Sequence, residues 1–274
     1  MILNMTELFD YTFFRYALVA ALLAGVLCAC VGTYVVTRRM SLVSGGIAHS
    51  SLGGVGVGAW LGFSPVAGAA VFALLSGFII RWLSRRRGVR EDSAIAMVWT
   101  FGMSVGIITS YLAPSFLPEL PSFLFGNILT ITFSDILVLL VLTVMTVAFF
   151  ALFLPQIIAV AFDYDFAVSQ HIRAGLLDAV MTALVALTVV ACLKVVGIIM
   201  VIAMLSVPQV TANIFSCSFR GMVLLSALIS IFNCMLGFVI SYLLDVPCGA
   251  SIILVSVFIY VLSKAIMGTV LALK

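Results

Sequence analysis

The chain has 274 residues, of which 65% are hydrophobic and only 8% are charged. Soluble domains carry about 25% charged residues. The composition therefore excludes a soluble globular protein and predicts a membrane protein, with residues 1–274 forming a single transmembrane domain surrounded by lipid. The formal net charge of +3 does not indicate a nucleic-acid partner, because the basic residues lie where they would set membrane orientation.

Apolar runs bounded by charged residues, proline or glycine predict an all-α, polytopic membrane helical bundle of eight to nine transmembrane helices. The predicted spans are 14–36, 41–63, 65–83, 93–113, 132–154, 176–196, 198–214, 222–244 and 249–270. The seventh is short and contains Pro208, so a kinked or partly re-entrant helix is an alternative there.

Lysine and arginine are distributed unevenly between the two ends of these spans. If nine spans alternate and the Arg38–Arg39 turn is cytoplasmic, eleven of the 13 basic residues fall inside and only Arg15 and Lys194 fall outside. This positive-inside bias predicts an N terminus outside the cell and a C terminus in the cytoplasm.

The second predicted span, SLVSGGIAHSSLGGVGVGAWLGF, contains six glycines between Gly45 and Gly58 and no lysine, arginine, aspartate or glutamate. Small residues recur at every fourth position, namely at Gly46, Ser50, Gly54 and Gly58. This stripe predicts that another helix lies against the second span almost backbone to backbone. His49 adjoins the stripe near mid-membrane, where an ionisable side chain predicts a functional site.

Two interpretations of His49 remain open from the residues alone. Its neutral imidazole could transiently bind a borderline metal such as zinc, manganese or iron, or it could hydrogen-bond across helices. A metal would need further donors, for which polarity suggests Ser44, Ser50, Ser51, Thr100, Met103 and Ser104. Cys28 and Cys30 point to different faces of one helix and make a poor metal pair, so the six cysteines are interpreted mostly as buried, inert thiols.

Two connections are long enough to carry function. The outer one, 114–131, is proline-rich and predicts either a surface helix that docks a delivery partner or a stiff loop. The inner one, 155–175, has Asp163 and Asp165 where a short helix would begin and Phe162 and Phe166 at helical spacing. It predicts an amphipathic helix that contacts the membrane or a partner's groove, or else a surface loop.

Several motifs are absent from the sequence. Glycine is never followed by lysine, so no P-loop exists and ATP hydrolysis would belong to another chain. We therefore expect no enzyme and no intrinsic cofactor. The alternative function is a secondary transporter or channel that works without an ATPase. Asp135, Asp178 and Lys194 lie near span ends, so no carboxylate is expected at mid-membrane. A proton-coupled secondary transporter usually needs such a carboxylate, which argues against this alternative. Gly197 and Pro208 interrupt the 195–212 stretch, as either a gate hinge or a structural kink.

The segment RRMSLVSGGIAHSSLGGVGVG (38–58) resembles the second-helix signature of the metal-type ABC transporter permeases, which serve zinc, manganese and iron uptake. The resemblance continues, in the family's order, through EDSAIAMVWTFGMSVGI (91–107), LFGNILTITFSDI (124–136), FDYDFAV (162–168), VVGIIMVIAMLSVPQVTA (195–212) and YLLDVPCGASIILV (242–255).

This resemblance implies a bacterial cell-membrane importer of a divalent metal, in which two permease copies, expected as a homodimer, bind cytoplasmic ATP-binding subunits and receive metal from an extracytoplasmic binding protein. ATP is then a ligand of the partner subunit. The residues implied to couple to that subunit are Phe162, Asp163, Asp165, Phe166 and Ala167.

His49 matches the family's pathway histidine, but two positions depart from the family pattern. Gly45 stands where the family commonly has an aspartate, and His171 stands where it usually has a small residue. Because loss of a hard carboxylate disfavours manganese, zinc is the metal expected from the sequence.

Overall fold

The computed structural model describes residues 12–113, 126 and 131–272, and within them every regular element is an α-helix, which confirms the all-α prediction. The helices are α1 (Thr12–Thr37), α2 (Ser41–Leu61), α3 (Pro65–Arg87), α4 (Glu91–Leu112), α5 (Phe133–Phe162), α6 (Tyr164–Ser169), α7 (Ala174–Val196), α8 (Ile198–Met204), α9 (Val207–Phe215), α10 (Phe219–Leu244) and α11 (Cys248–Ala272).

Eight segments among the described residues are long and apolar enough to cross a membrane, with α8 and α9 counted together as one. Helix α2 is not among the eight, because its glycines and serines lower its hydropathy. It nevertheless has 21 residues, most of them buried, and so faces protein rather than lipid. The predicted range of eight to nine spans depends on this helix.

The fifth helix is longer than the sequence predicted. The predicted span ended at residue 154, but α5 continues through Pro155 to Phe162. Phe153, with φ −112° and ψ 16°, takes a non-helical conformation two residues before the proline. A kink at this point accommodates the hydrogen bond that proline cannot donate. The predicted end of the span at residue 154 thus lies at the kink, whereas the helical segment 155–162 that follows it was not predicted.

The chain divides into two compact units. In the described residues, unit A comprises 12–33, 126, 131–148 and 191–272, and unit B comprises 34–113 and 149–190.

In unit A, the seventh span is two helices rather than one kinked helix. Gly197, at φ 80°, separates α7 from α8, and the α8–α9 break at Leu205 and Ser206 precedes Pro208. The proline thus lies in the first turn of α9, where its missing N–H costs no helical hydrogen bond. The fully buried Gln209 bridges the break, since its Nε2 donates to the Met204 carbonyl at 3.0 Å and to the Cys28 carbonyl at 2.9 Å.

Lys194 and Asp135, both in unit A, form an ion pair. Lys194 Nζ lies 2.8 Å from Asp135 Oδ2, and the same oxygen accepts hydrogen bonds from the Thr132 backbone N–H and hydroxyl. The predicted partner-docking connection, 114–131, lies outside the described residues apart from Gly126 and Ile131. Gly126, at φ 74°, lies against the backbone of Val196.

In unit B, α2 contacts both α3 and α4 through residues without side-chain bulk. A Cβ on Gly54 would overlap the carbonyl of Gly68 in α3, and a Cβ on Gly68 would overlap the Gly54 carbonyl. On the α4 side, a Cβ on Gly102 would lie 2.5 Å from the Ser50 Cα. Glycine at these positions lets three backbones approach within direct contact.

Replacing Gly54 by alanine is expected to destabilise the protein by about 2–3 kcal/mol, because the new methyl group must displace the Gly68 backbone. The thermal-unfolding midpoint of the purified chain measures this loss. Gly268→Ala is the matched control, since a Cβ there meets no atom within 4 Å; equal stability of the two variants would contradict the close contact of α2 with α3.

Candidate functional site

His49 lies in α2, with its ring stacked on that of Trp99 from α4. The ring centroids are 4.3 Å apart and the planes differ by 7°. Trp99 is itself held by an N–H hydrogen bond of 2.8 Å to the Met103 sulfur, one turn further along α4. The Nδ1 of His49 is buried and has no hydrogen-bond partner among the described residues. The imidazole is therefore oriented by stacking, with one ring nitrogen unpartnered.

Most of the suggested additional donors make other hydrogen bonds. The hydroxyls of Ser50, Ser51 and Thr100 donate to carbonyls of their own helices, the Met103 sulfur accepts from Trp99, and Ser104 is exposed. Among the described residues, no group of three or more histidine, cysteine, aspartate or glutamate side chains is placed to hold a metal. A metal passing His49 would have to complete its coordination with weaker oxygen or sulfur donors, which favours transient binding.

The predicted short helix after Asp163 is present as α6. Asp163 is its N-cap, since its side chain accepts a 2.9 Å hydrogen bond from the Phe166 N–H, and Asp165 lies in the first turn. Phe162 and Phe166 are 69% and 53% exposed, whereas Ala167 is fully buried against Val160 and Ala174. The segment thus fixes itself through Ala167 and presents two phenylalanines to the surroundings.

His171 ends the α6 segment in a left-handed conformation, at φ 59°. Glycine adopts such angles freely, whereas a side chain with a Cβ makes them costly. This backbone gives a physical reason for a small residue at the position and shows that the histidine is accommodated with strain.

The sequence did not predict the centre of unit B's charged cluster, Asp178 in α7. Its side chain is 4% exposed and accepts a 2.9 Å hydrogen bond from the Tyr34 hydroxyl. Arg85 and Arg81, one turn apart on α3, approach the carboxylate at 2.8 and 3.2 Å, and Arg38 at 3.9 Å. One carboxylate therefore holds together the ends of α1, α3 and α7.

The same cluster reaches α6 through aromatic and backbone contacts. The Arg85 guanidinium lies 4.4 Å from the ring centroid of Tyr164, the first residue of α6. Arg81 donates a 2.7 Å hydrogen bond to the Gly175 carbonyl at the start of α7. Cation–π contacts of this kind add up to about 2 kcal/mol when desolvated. A displacement of α6 would therefore act directly on the arginines of α3.

Asp178→Asn is expected to lower stability by about 2–3 kcal/mol, because it leaves partly buried guanidiniums without their counterion. Thermal unfolding of the purified chain would show the loss. Asp92→Asn is the matched control, since the Arg90–Asp92 pair is 84% and 68% exposed and such pairs contribute little. Similar effects from both substitutions would exclude Asp178 as the organising charge.

Known proteins resemble this chain over most of its length. The chain is 35% identical over 239 residues to a "Probable metal transport system membrane protein" of Chlamydia trachomatis, covering 85% of this chain and 82% of the relative. It is 30% identical over 256 residues to the "Manganese import system permease protein ScaB" of Streptococcus gordonii, covering 93% and 92%.

A solved structure, "PsaBC from Streptococcus pneumoniae in complex with Fab", contains a chain that superposes with a TM-score of 0.85 at 28% identity, over 95% of both chains. The family model described as "ABC 3 transport family" matches residues 10–267. These matches confirm the resemblance and, with the apolar helices, identify a multi-pass membrane protein of bacterial type. The chain belongs to the ABC 3 transport family of membrane permeases.

Proposed function

We propose that the chain is the permease subunit of an ATP-driven importer of a divalent transition metal, with hydrolysis performed by a separate ATP-binding subunit. The observation that carries this proposal is the match of residues 10–267 to a transport family whose relatives include a named manganese import permease. The lack of a P-loop in the sequence agrees with the division of labour between the two subunits.

Manganese is the metal we propose. The expectation of zinc rested on the loss of a carboxylate at Gly45, but the relative named for a specific metal is a manganese permease. The open nitrogen of His49 would provide one donor, and the metal would keep water or backbone oxygens as the others. A site of one imidazole binds weakly, which suits a metal that must be released on the other side.

The proposed assembly follows from the charge distribution and from α6. We assign the arginine-rich ends of α1 and α3 to the cytoplasm by the positive-inside rule, and with nine crossings this predicts an N terminus outside and a C terminus inside. The exposed Phe162 and Phe166 then face a cytoplasmic ATP-binding subunit. A second permease copy and an extracytoplasmic metal-binding protein complete the proposed importer, with Gly197 as a proposed hinge at the α7–α8 break.

His49→Ala is expected to reduce cellular manganese uptake about tenfold or more at unchanged expression, because the pathway loses its buried nitrogen ligand. Uptake of radioactive manganese by cells depleted of other manganese transporters measures this. Ser93→Ala, an exposed position on α4 that is not among the suggested metal donors, should transport normally. Uptake by the His49 variant at the wild-type rate would remove the histidine from the pathway.

Phe166→Ala is expected to weaken association with the ATP-binding subunit, because it removes an exposed apolar anchor from α6. Co-purification of the two subunits in mild detergent gives the readout. Phe63→Ala is the matched control, since Phe63 is 44% exposed but follows the opposite end of α2 from the arginine-rich side. If both variants retain the ATPase equally, α6 is not the docking element.

A further inference from the structure

The arginine cluster of unit B borders a cavity of about 230 Å³ among the described residues. Its polar lining includes Arg38, Arg81, Ser84, Arg85, Glu91 and Asp178. A water molecule occupies about 30 Å³ in the liquid, so the cavity has room for a phosphate group together with a few waters. Three guanidiniums and two carboxylates line it, which leaves a formal excess of one positive charge.

The three arginines are not equally engaged. Arg81 and Arg85 make close ion pairs with Asp178, whereas Arg38 remains at 3.9 Å from its nearest carboxylate oxygen. The Nε of Arg38 is buried and has no hydrogen-bond partner among the described residues. A buried guanidinium N–H without an acceptor is costly. Arg38 is therefore the least paired of the three guanidiniums that line this positively charged cavity.

Neighbouring residues place this cavity at the depth of lipid headgroups. Trp82, next to Arg81 on α3, is 46% exposed and lies under the Arg87 guanidinium, 4.8 Å from ring centroid to cation. Exposed tryptophan beside arginine at the end of an apolar helix is typical of the membrane–water interface. Basic pockets between transmembrane helices at this depth bind anionic headgroups.

We propose that this cavity binds a phosphate group, with the guanidinium of Arg38, the least engaged with Asp178 of the three, as its principal contact. Guanidinium forks match the tetrahedral oxygens of phosphate, and the carboxylates of Glu91 and Asp178 limit the site to one such group. The phosphate can come from an anionic phospholipid or from free inorganic phosphate. Because Tyr164 of α6 contacts Arg85 and also Arg38, whose guanidinium is 5.9 Å from its ring centroid, an occupied cavity would brace the helix that is proposed to bind the ATPase.

In the lipid arm of the test, the full chain is purified in mild detergent and its bound lipids are identified by native mass spectrometry. Equal amounts of phosphatidylglycerol and phosphatidylcholine are added, and the retained lipid is counted. We expect preferential retention of one phosphatidylglycerol, reduced about tenfold in Arg38→Gln. Arg86→Gln is the matched control, because it removes the same charge from an exposed position on α3 outside the cavity lining.

The free-phosphate arm titrates delipidated protein with inorganic phosphate and follows ³¹P line broadening. Retention of phosphatidylglycerol without phosphate binding assigns the site to lipid, and phosphate binding lost in Arg38→Gln but kept in Arg86→Gln assigns it to the free anion. Absence of both, or equal losses in the two variants, overturns the proposal. If Arg38→Gln fails to fold, Arg38→Lys is measured in its place. It keeps the positive charge but lacks the planar guanidinium, so it is also expected to weaken phosphate binding. Failure here would leave metal uptake by the wild type untouched, so it is distinguishable from failure of the proposed function.

Discussion

Backbone contact between α2 and its two neighbours in unit B is the constraint on which the other features of that unit depend. Gly54 and Gly68 have no room for a methyl group on either side, and Gly102 meets the Ser50 backbone in the same way. Such contact gains van der Waals energy that lipid cannot replace. It also explains why a helix too rich in glycine and serine to be strongly apolar is stable, since protein rather than lipid surrounds it.

The two carboxylates that form ion pairs between helices, Asp178 and Asp135, both lie near helix ends. Asp178 is surrounded by a tyrosine hydroxyl and three guanidiniums, and Asp135 pairs with Lys194. Neither carboxylate is placed as a free proton relay. The imidazole of His49 is the contrasting case, because stacking on Trp99 orients it while its Nδ1 lacks a partner. A fixed ring with an open nitrogen is suited to a passing cation.

The local features of the fold could be predicted from sequence, whereas the long-range contacts could not. Asp163 predicts the start of α6 because an N-cap side chain accepts a hydrogen bond from a backbone N–H only two or three residues further along the chain. Asp178 and Tyr34 are 144 positions apart, and neither residue carries a local signal of the other. The Asp135–Lys194 ion pair could have been predicted, because the sequence places both residues at outer helix ends and their charges are opposite. The sequence does not show whether a proline lies inside a helix, where it causes a kink, or in the first turn of a new helix, where it does not. Pro208 is the second case.

We propose that this chain moves metal only when a separate ATPase drives it. The most direct test reconstitutes the chain with its ATP-binding subunit and metal-binding protein in liposomes and follows manganese entry with and without ATP. We predict that accumulation requires ATP and the ATP-binding subunit together. Accumulation at the same rate by liposomes that contain the permease chain alone would show that transport does not depend on the ATPase.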